Sequence, residues 1–170
     1  MLKPIADYDC LVLGCGNLLI GDDGFGPAVI RYMEEHHPVP DTVALIDCGT
    51  SIRDILFDII LSPRKPRRVI IVDVTDTPSM AAGDIREIDI DQIRPEKRCD
   101  FALHQFPGVN LLKEIKDETR VDIRVFVVQV SGTPPEVKPG LSGPVQRAVP
   151  AMCERILTAI GTTPTVSEGQ

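Results

Sequence analysis

Four aspartates lie where a side chain could serve chemistry, because each follows an apolar run or belongs to a glycine-rich turn. Asp22 and Asp23 lie in the glycine-rich segment 14–26, and Asp47 and Asp73 follow the second and third apolar runs. An aspartate at the end of an apolar strand costs desolvation energy, so it either caps a neighbouring helix or serves a crevice. Two carboxylates share a crevice readily only when a proton or a cation lies between them. Asp23 and Asp73 are therefore predicted to form such a pair.

The third candidate is His104, one of three histidines in the chain. His36 and His37 are expected to close the first helix, where an imidazole complements the helix dipole. His104 lies in an apolar stretch that leads into the third helix, where a lone histidine is more often a core or capping residue. Beside Asp23 and Asp73, however, it would complete a set of two oxygen ligands and one nitrogen ligand. That set suits a divalent first-row metal ion with positions left open for water or substrate.

The glycine-rich turn does not have the spacing of a nucleotide-binding loop. A dinucleotide fingerprint needs a glycine at position 19, which is Leu19, and a phosphate-binding loop needs a Gly-Lys-Ser/Thr sequence that does not follow. Asp22 and Asp23 would also repel a phosphate, since like charges a few ångströms apart repel by about 1 kcal/mol or more. The turn is therefore predicted to favour a cation over an anion.

Length, composition and charge limit the remaining functions. The 170 residues, 43% of them hydrophobic, fit one domain over residues 1–161 with a flexible tail over residues 162–170. A net charge of −7 argues against nucleic-acid binding, which requires clustered Lys and Arg, and the short basic cluster 64–68 is interpreted as a solvated connector. No apolar run approaches the roughly 20 residues that span a bilayer, so no membrane partner is expected. A monomer is expected because no long exposed apolar stretch requires a partner.

The five cysteines predict reduced thiols rather than disulfides or a zinc site. Their number is odd, their spacing is irregular, and no Cys-x-x-Cys pair occurs. Cys10, Cys15 and Cys48 lie in apolar runs, where a buried thiol behaves as a small hydrophobe. Together with the lack of a signal-peptide pattern, this favours a reducing compartment, and the cytoplasm is the predicted location.

The periodicity of apolar residues predicts strands that alternate with helices. Continuous apolar runs predict buried strands, and apolar residues at three- and four-residue spacing predict amphipathic helices. The predicted strands cover residues 11–13, 43–46, 69–72, 84–90 and 123–130, and the predicted helices include residues 25–33, 52–60, 111–115 and 145–156. This alternation predicts an α/β fold, a three-layer sandwich with a twisted, mostly parallel five-stranded sheet and helices on both faces. Ligands of such sheets bind beyond the carboxyl ends of the strands.

Polar residues before two of the helices are predicted to cap them. Asp22 or Asp23 is placed before the first helix, whose first turn includes Pro27, and Ser51 is placed before the second. A side-chain oxygen at such a position accepts a hydrogen bond from an N–H group that the helix leaves unpaired at its N-terminus. The acidic pair thus has two predicted roles, capping and ligand binding.

The segment GCGNLLIGDDGFG resembles the opening motif of the hydrogenase maturation endopeptidases. That motif consists of Gly-x-Gly-Asn, a leucine, an acidic pair and Gly-x-Gly, and the resemblance extends from Leu11 to about Ile156. In this family the second acidic residue is a metal ligand, which corresponds to Asp23. The aspartate that closes the third strand corresponds to Asp73 in VIIVDV, and the family's histidine corresponds to His104 in LHQF.

The resemblance implies an endopeptidase that removes a C-terminal extension from the large-subunit precursor of a nickel-iron hydrogenase once nickel has been inserted. Nickel, supplied by the substrate, would be the recognition signal, and another divalent ion would substitute for it in the isolated protein. The catalytic and metal-binding residues implied by the family are Asp23, Asp73 and His104. The residues associated with substrate binding are Asp47, Gly49 and Thr50.

Two positions depart from the family pattern. Asp23 replaces a glutamate that is frequent in the family, so the metal would lie closer to the first loop or require a bridging water. Cys48 follows Asp47 where many relatives have glycine, which would stiffen that turn. Residues 75–104 and 133–136 are most similar to the branch that serves deazaflavin-reducing hydrogenases of methanogens.

Three other interpretations are open from the sequence. In the first, Asp23 and Asp73 share a proton and act as the carboxylate pair of an aspartic protease. In the second, the same ligands belong to a non-proteolytic protein that checks or delivers nickel during hydrogenase assembly. In the third, the chain is a small-molecule-binding α/β domain whose acidic loop caps a helix.

Overall fold

A computed structural model describes residues 3–92, 109–132 and 137–161 of the chain. The described residues form five strands and four α-helices, and no helix among them is long and apolar enough to cross a bilayer. Their order is β1 (Cys10–Cys15), α1 (Phe25–His36), β2 (Val43–Gly49), α2 (Ile52–Leu61), β3 (Arg68–Thr75), β4 (Ile85–Ile88), α3 (Val109–Glu118), β5 (Asp122–Gln129) and α4 (Gly143–Gly161). The predicted tail over residues 162–170 lies outside the described residues.

The strands form one sheet in the order β2-β1-β3-β5-β4. β1 pairs in parallel with β2 and β3, and β3 pairs in parallel with β5. β4 pairs antiparallel with β5 at the edge of the sheet. The chain adds β2 on one side of β1 and β3 on the other, so the strand order changes direction at β1. Such a switch point opens a crevice beyond the carboxyl ends of the strands.

Helices cover both faces of the sheet, as the sequence predicts. Successive residues of a strand point to opposite faces, and in β3 Ile70 belongs to the core under α1 and α4 while Ile71 belongs to the core under α2. Both side chains are fully buried. The continuous apolar run in β3 therefore reflects a central strand that is covered on both sides, and the three-layer α/β prediction is confirmed.

The predicted helix caps are wrong in both cases. α1 begins after Gly24, and no side-chain hydrogen bond caps it. Asp22 and Asp23 belong instead to the 3-10 helix Gly21–Gly24, which turns their side chains towards other partners. Ser51 precedes α2, but its φ of −99° and ψ of 25° lie outside the extended region typical of a capping residue, and its side chain forms no cap bond.

The start of α1 packs against the sheet with almost no space between the backbones. A Cβ atom added to Gly26 would lie 2.2 Å from the carbonyl oxygen of Cys15 and 2.8 Å from that of Val72. A Cβ atom added to Gly14 would lie 2.5 Å from the carbonyl oxygen of Gly26. The two glycines thus bring the start of α1, and the acidic residues just before it, close to the carboxyl ends of β1 and β3.

We expect Gly26→Ala to lower the free energy of unfolding by about 3 kcal/mol or more, because the backbone atoms around it cannot move aside for a methyl group. Gly132→Ala is the matched control, since a Cβ atom added at Gly132 meets no atom within 4 Å. Urea unfolding followed by circular dichroism measures both variants. Equal stability of the two variants would contradict the close packing of α1 on the sheet.

Candidate active site

The carboxyl ends of three neighbouring strands gather the candidate aspartates around one crevice. In the sheet register, Gly14 of β1 lies beside Asp47 of β2 and Val72 of β3. Asp73 occupies the next position of β3, and the loop that leaves β1 carries Asp23. The fold therefore directs residues from three separate parts of the chain to the same edge of the sheet.

Asp23 is almost completely buried, with 1% of its surface exposed. Its Oδ2 atom accepts a hydrogen bond of 2.9 Å from the backbone N–H of Asn17. Gly16 makes this approach feasible, because its φ is +132° and a Cβ atom there would lie 1.8 Å from the carbonyl oxygen of Asp23. The Gly-x-Gly-Asn segment thus folds back on the acidic pair and holds the Asp23 carboxylate inside the protein.

Asp73 is the other buried carboxyl group, with 7% of its surface exposed. Its Oδ1 atom accepts a hydrogen bond of 2.8 Å from the backbone N–H of Val74. Burial raises the pKa of Asp73 from 3.8 to about 8; the hydrogen bond from Val74 opposes this rise, and the negative charge of Asp23 adds to it. The structure therefore brings Asp23 and Asp73 close enough to interact, and at neutral pH Asp73 keeps its proton unless a cation takes the proton's place.

His104 lies outside the described residues, so the nitrogen ligand stays a prediction. Within residues 3–92, 109–132 and 137–161, no group of three or more His, Cys, Asp and Glu side chains is arranged as a metal site. Asp23 and Asp73 would supply oxygen donors, which suit hard and borderline divalent ions. The donor type therefore fits a divalent ion that obtains its remaining ligands from His104 and from the substrate.

The predicted substrate-binding turn lies at the end of β2, next to the loop that follows β1. The Oδ1 atom of Asp47 accepts a hydrogen bond of 3.0 Å from the backbone N–H of Gly49. The carbonyl oxygen of Gly49 accepts one of 2.9 Å from the N–H of Gly16. Asp47 and Thr50 are exposed. The turn is thus open to solvent and directly bonded to the loop that holds Asp23.

Asp22 has a different role from its neighbour Asp23. Its Oδ2 atom accepts hydrogen bonds from the N–H of Ser131 at 3.0 Å and the hydroxyl of Ser142 at 2.9 Å, and its Oδ1 atom accepts one from the N–H of Ser142 at 2.6 Å. Next to it, the N–H of Gly21 donates to the carbonyl oxygen of Lys138 at 2.8 Å. Asp22 therefore ties the loop after β1 to the segments that follow β5 and precede α4.

Replacement of Asp22 by alanine is expected to destabilise the protein by about 2–3 kcal/mol, because three hydrogen bonds to a carboxylate are lost and the N–H groups of Ser131 and Ser142 are left without it. Asp89→Ala is the control, since Asp89 is exposed and accepts one hydrogen bond, from Asp91. Urea unfolding compares the two variants. A loss no larger than that of Asp89→Ala would show that Asp22 does not hold the two segments together.

Gln129, at the end of β5, is a buried polar residue that we did not predict as part of this region. Its Oε1 atom accepts a hydrogen bond of 2.8 Å from the N–H of Thr77, and its Nε2 atom donates to Asp76 at 3.2 Å. It thus holds the loop that follows Asp73. Gln129 comes after an apolar run, as Asp73 does, so the criterion that selected Asp73 could also have selected Gln129.

The fold and the acidic crevice define an α/β protein with a buried carboxylate pair at a switch point of its sheet, and known proteins share this architecture. The solution structure of the endopeptidase HycI from Escherichia coli superposes with a TM-score of 0.69 at 25% identity, covering 94% of this chain and 99% of that one. A Methanocaldococcus jannaschii protein with an inferred hydrogenase maturation protease role is 37% identical over 155 residues, which are 89% of this chain and 96% of the relative.

The sequence profile described as hydrogenase maturation protease matches residues 27–159. The delta subunit of the coenzyme F420 hydrogenase of Methanothermobacter thermautotrophicus is 34% identical over 161 residues, which are 92% of this chain and 98% of that one. The chain belongs to the hydrogenase maturation protease family and is an endopeptidase. The family resemblance and the peptidase activity that the sequence predicted are therefore confirmed.

Proposed function

We propose that this endopeptidase removes the C-terminal extension from the large-subunit precursor of a nickel-iron hydrogenase, and that inserted nickel is its recognition signal. The observation that carries the proposal is the buried pair of Asp23 and Asp73 beyond the carboxyl ends of β1 and β3. The similarity to the delta subunit of a coenzyme F420 hydrogenase supports a deazaflavin-reducing hydrogenase as the substrate.

In this proposal Asp23, Asp73 and His104 complete the coordination of the nickel ion that the precursor brings. Asp73 releases its proton as the cation binds, since a nearby positive charge lowers the pKa of a carboxyl group. The N–H groups of Asn17 and Val74 hold the two carboxylates in position. The bound ion supplies Lewis-acid activation for peptide hydrolysis. A carboxylate oxygen of the pair accepts a proton from the attacking water as general base.

The turn of Asp47, Gly49 and Thr50 is the proposed binding site for the peptide around the scissile bond. Asp47 and Thr50 face solvent, whereas the carbonyl oxygen of Gly49 is bonded to Gly16. A peptide that binds to this turn is therefore held beside the loop that carries Asp23. This contact would align the scissile bond with the carboxylate pair.

A second chemistry for the same reaction is favoured by the raised pKa of Asp73. At neutral pH, without a cation, Asp73 is protonated, and a protonated and an ionised carboxyl group side by side form the working unit of an aspartic protease. The variant His104→Ala separates the two chemistries. Retained cleavage with lost nickel dependence supports the proton-sharing pair, whereas loss of cleavage supports the nickel-coordinating set.

The direct test is to incubate the purified protein with hydrogenase large-subunit precursor, with and without nickel in the precursor, and to measure the mass of the product. We expect the C-terminal extension to be removed only from the nickel-loaded precursor. Cleavage of both forms would contradict nickel recognition. An intact extension in both samples would contradict cleavage of this substrate and support a protein that checks or delivers nickel.

We also propose that the protein works as a monomer in a reducing compartment, the cytoplasm. Its described cysteines are free thiols, which supports a reducing environment. The free thiols of the described residues are Cys10, Cys15, Cys48 and Cys153. Size-exclusion chromatography with light scattering measures the oligomeric state, and a dimer mass at micromolar concentration would contradict the monomer.

A further inference from the structure

Two cysteines that are distant in sequence meet beside the crevice. The Sγ atoms of Cys15, the last residue of β1, and Cys48, near the end of β2, are 3.3 Å apart. Only 4% of Cys15 and 7% of Cys48 is exposed. The thiol of Cys48 also donates to the carbonyl oxygen of Gly14 at 3.1 Å. The two thiols are thus in contact and share a hydrogen bond.

An irregularity in strand pairing brings these side chains together. Gly14 pairs with Asp47, but Cys15 pairs with Gly49, so Cys48 is an extra residue on β2. Cys15 and Cys48 consequently both pack in the core between the sheet and α2. Neighbouring strands lie about 4.8 Å apart, within the range of about 4.4–6.8 Å that separates the Cα atoms of a disulfide. The backbone positions are therefore compatible with a covalent bond between the two sulfurs.

The same pair lies next to the charged groups of the site. The hydrogen bond with Cys48 and then burial raise the pKa of Cys15 well above its usual value, and the negative charges of Asp73 and Asp47 add to the effect. The reduced pair therefore rests as two neutral thiols. Among the described cysteines, Cys10 and Cys153 pack in the core on the opposite face of the sheet, so neither competes for this contact.

We propose that Cys15 and Cys48 are an oxidation site, a dithiol that peroxide converts to a disulfide in the folded protein. One sulfur attacks hydrogen peroxide, forming a sulfenic acid with release of water. The second sulfur then attacks the first, forming the S–S bond with release of a second water. Two thiols and one peroxide thus yield one disulfide and two waters. A thiol reductant reverses the reaction by thiol–disulfide exchange.

Formation of the disulfide alters the substrate-binding turn. The sulfurs must close from 3.3 Å to about 2.05 Å, and Cys48 gives up its hydrogen bond to Gly14. Cys48 lies between Asp47 and Gly49, so its movement is transmitted to the turn and, through the Gly16–Gly49 bond, to the loop of Asp23. The oxidised enzyme therefore cleaves its precursor more slowly than the reduced enzyme. This consequence, unlike the disulfide itself, rests on the proposed function.

The experiment treats the native full-length protein with hydrogen peroxide, alkylates remaining thiols, and maps tryptic peptides without reduction. We expect a cross-link between the peptide that contains Cys15 and peptide 32–53, which contains Cys48, and its loss after reduction with dithiothreitol. The first peptide also contains Cys10, so the variant Cys10→Ala must retain the cross-link. Cys48→Ala must lose it, and Cys48→Ser repeats the test if the alanine variant does not fold. Absence of the cross-link, or its persistence without Cys48, would overturn the proposal.

The precursor assay adds a second readout. Oxidised wild-type protein is expected to cleave on the order of 10- to 100-fold more slowly than reduced protein, since a displacement of about 1 Å has effects of this size. Cys48→Ala is expected to cleave at the same rate with and without peroxide pretreatment. Equal rates for oxidised and reduced wild type would refute the regulatory consequence. A cross-link in a protein that never cleaves the precursor would refute the proposed function and leave the oxidation site intact.

Discussion

Replacement of Asp23 by asparagine is expected to slow cleavage of the nickel-loaded precursor on the order of 10²- to 10⁴-fold, the usual contribution of a catalytic acid or base. The asparagine side chain keeps an oxygen that can accept the hydrogen bond from Asn17, so the loop retains its conformation. What the substitution removes is the negative charge that binds a cation or accepts a proton beside Asp73. The measurement is a time course of precursor cleavage by mass spectrometry.

The control for this variant is Asp89→Asn, which removes a carboxylate from an exposed turn. It is expected to cleave at the wild-type rate. Asp23→Asn must also unfold in urea close to the wild-type midpoint, since otherwise the loss of cleavage would report misfolding. Wild-type cleavage by correctly folded Asp23→Asn would refute the catalytic role of this carboxylate in both proposed chemistries.

The second large effect concerns Asp73 and the pH dependence of stability in metal-free protein. The pKa of Asp73 is about 8 in the folded state, against a model value of 3.8 for an unperturbed aspartate. Between these values the unfolded chain releases this proton while the folded protein keeps it, so unfolding becomes more favourable as pH rises. The stability contributed by neutral Asp73 is complete below about pH 4 and is lost by about pH 8. The loss amounts to several kcal/mol, since one pKa unit corresponds to about 1.4 kcal/mol.

Asp73→Asn isolates this contribution, because asparagine is neutral at every pH and its side-chain oxygen can accept the hydrogen bond from Val74. The free energy of unfolding is measured in urea with a chelator present, for wild type and variant, at intervals from pH 4 to pH 9. We expect the stability of the variant relative to wild type to increase steadily up to about pH 8 and then to level off. A difference that does not change with pH would show that Asp73 titrates normally in the folded protein.

The strand ends were predictable from local pattern, and so were the residues that follow them. The apolar run of β3 is long and uninterrupted, so both its burial and the unusual position of Asp73 were evident from the sequence. Hydrophobic periodicity also distinguished strands from helices, because period and burial are properties of short segments. The helix caps failed for the opposite reason. Whether Asp22, Asp23 and Ser51 cap a helix depends on the backbone angles of single residues, which periodicity does not determine.

The contacts between distant segments were the part that could not be predicted. Nothing near Asp22 in the sequence indicates that it bonds Ser131 and Ser142, more than 100 residues away. The contact of Cys15 with Cys48 likewise depends on parallel pairing of β1 with β2 and on one extra residue in β2. Spacing in the sequence had suggested only separate buried thiols. Such contacts follow from strand order and register, which depend on how the whole chain packs.

The sequence by itself determined that this protein is an α/β endopeptidase of the hydrogenase maturation family, because the glycine-rich motif and the aspartates after apolar strands are local features. It also predicted that the acidic loop would favour a cation. Only the tertiary structure separated the two neighbouring aspartates, with Asp23 buried towards Asp73 and Asp22 bonded to the segments around α4. The physical reason is that adjacent residues in a tight 3-10 turn point in different directions, and their roles are decided by the distant segments that each one meets.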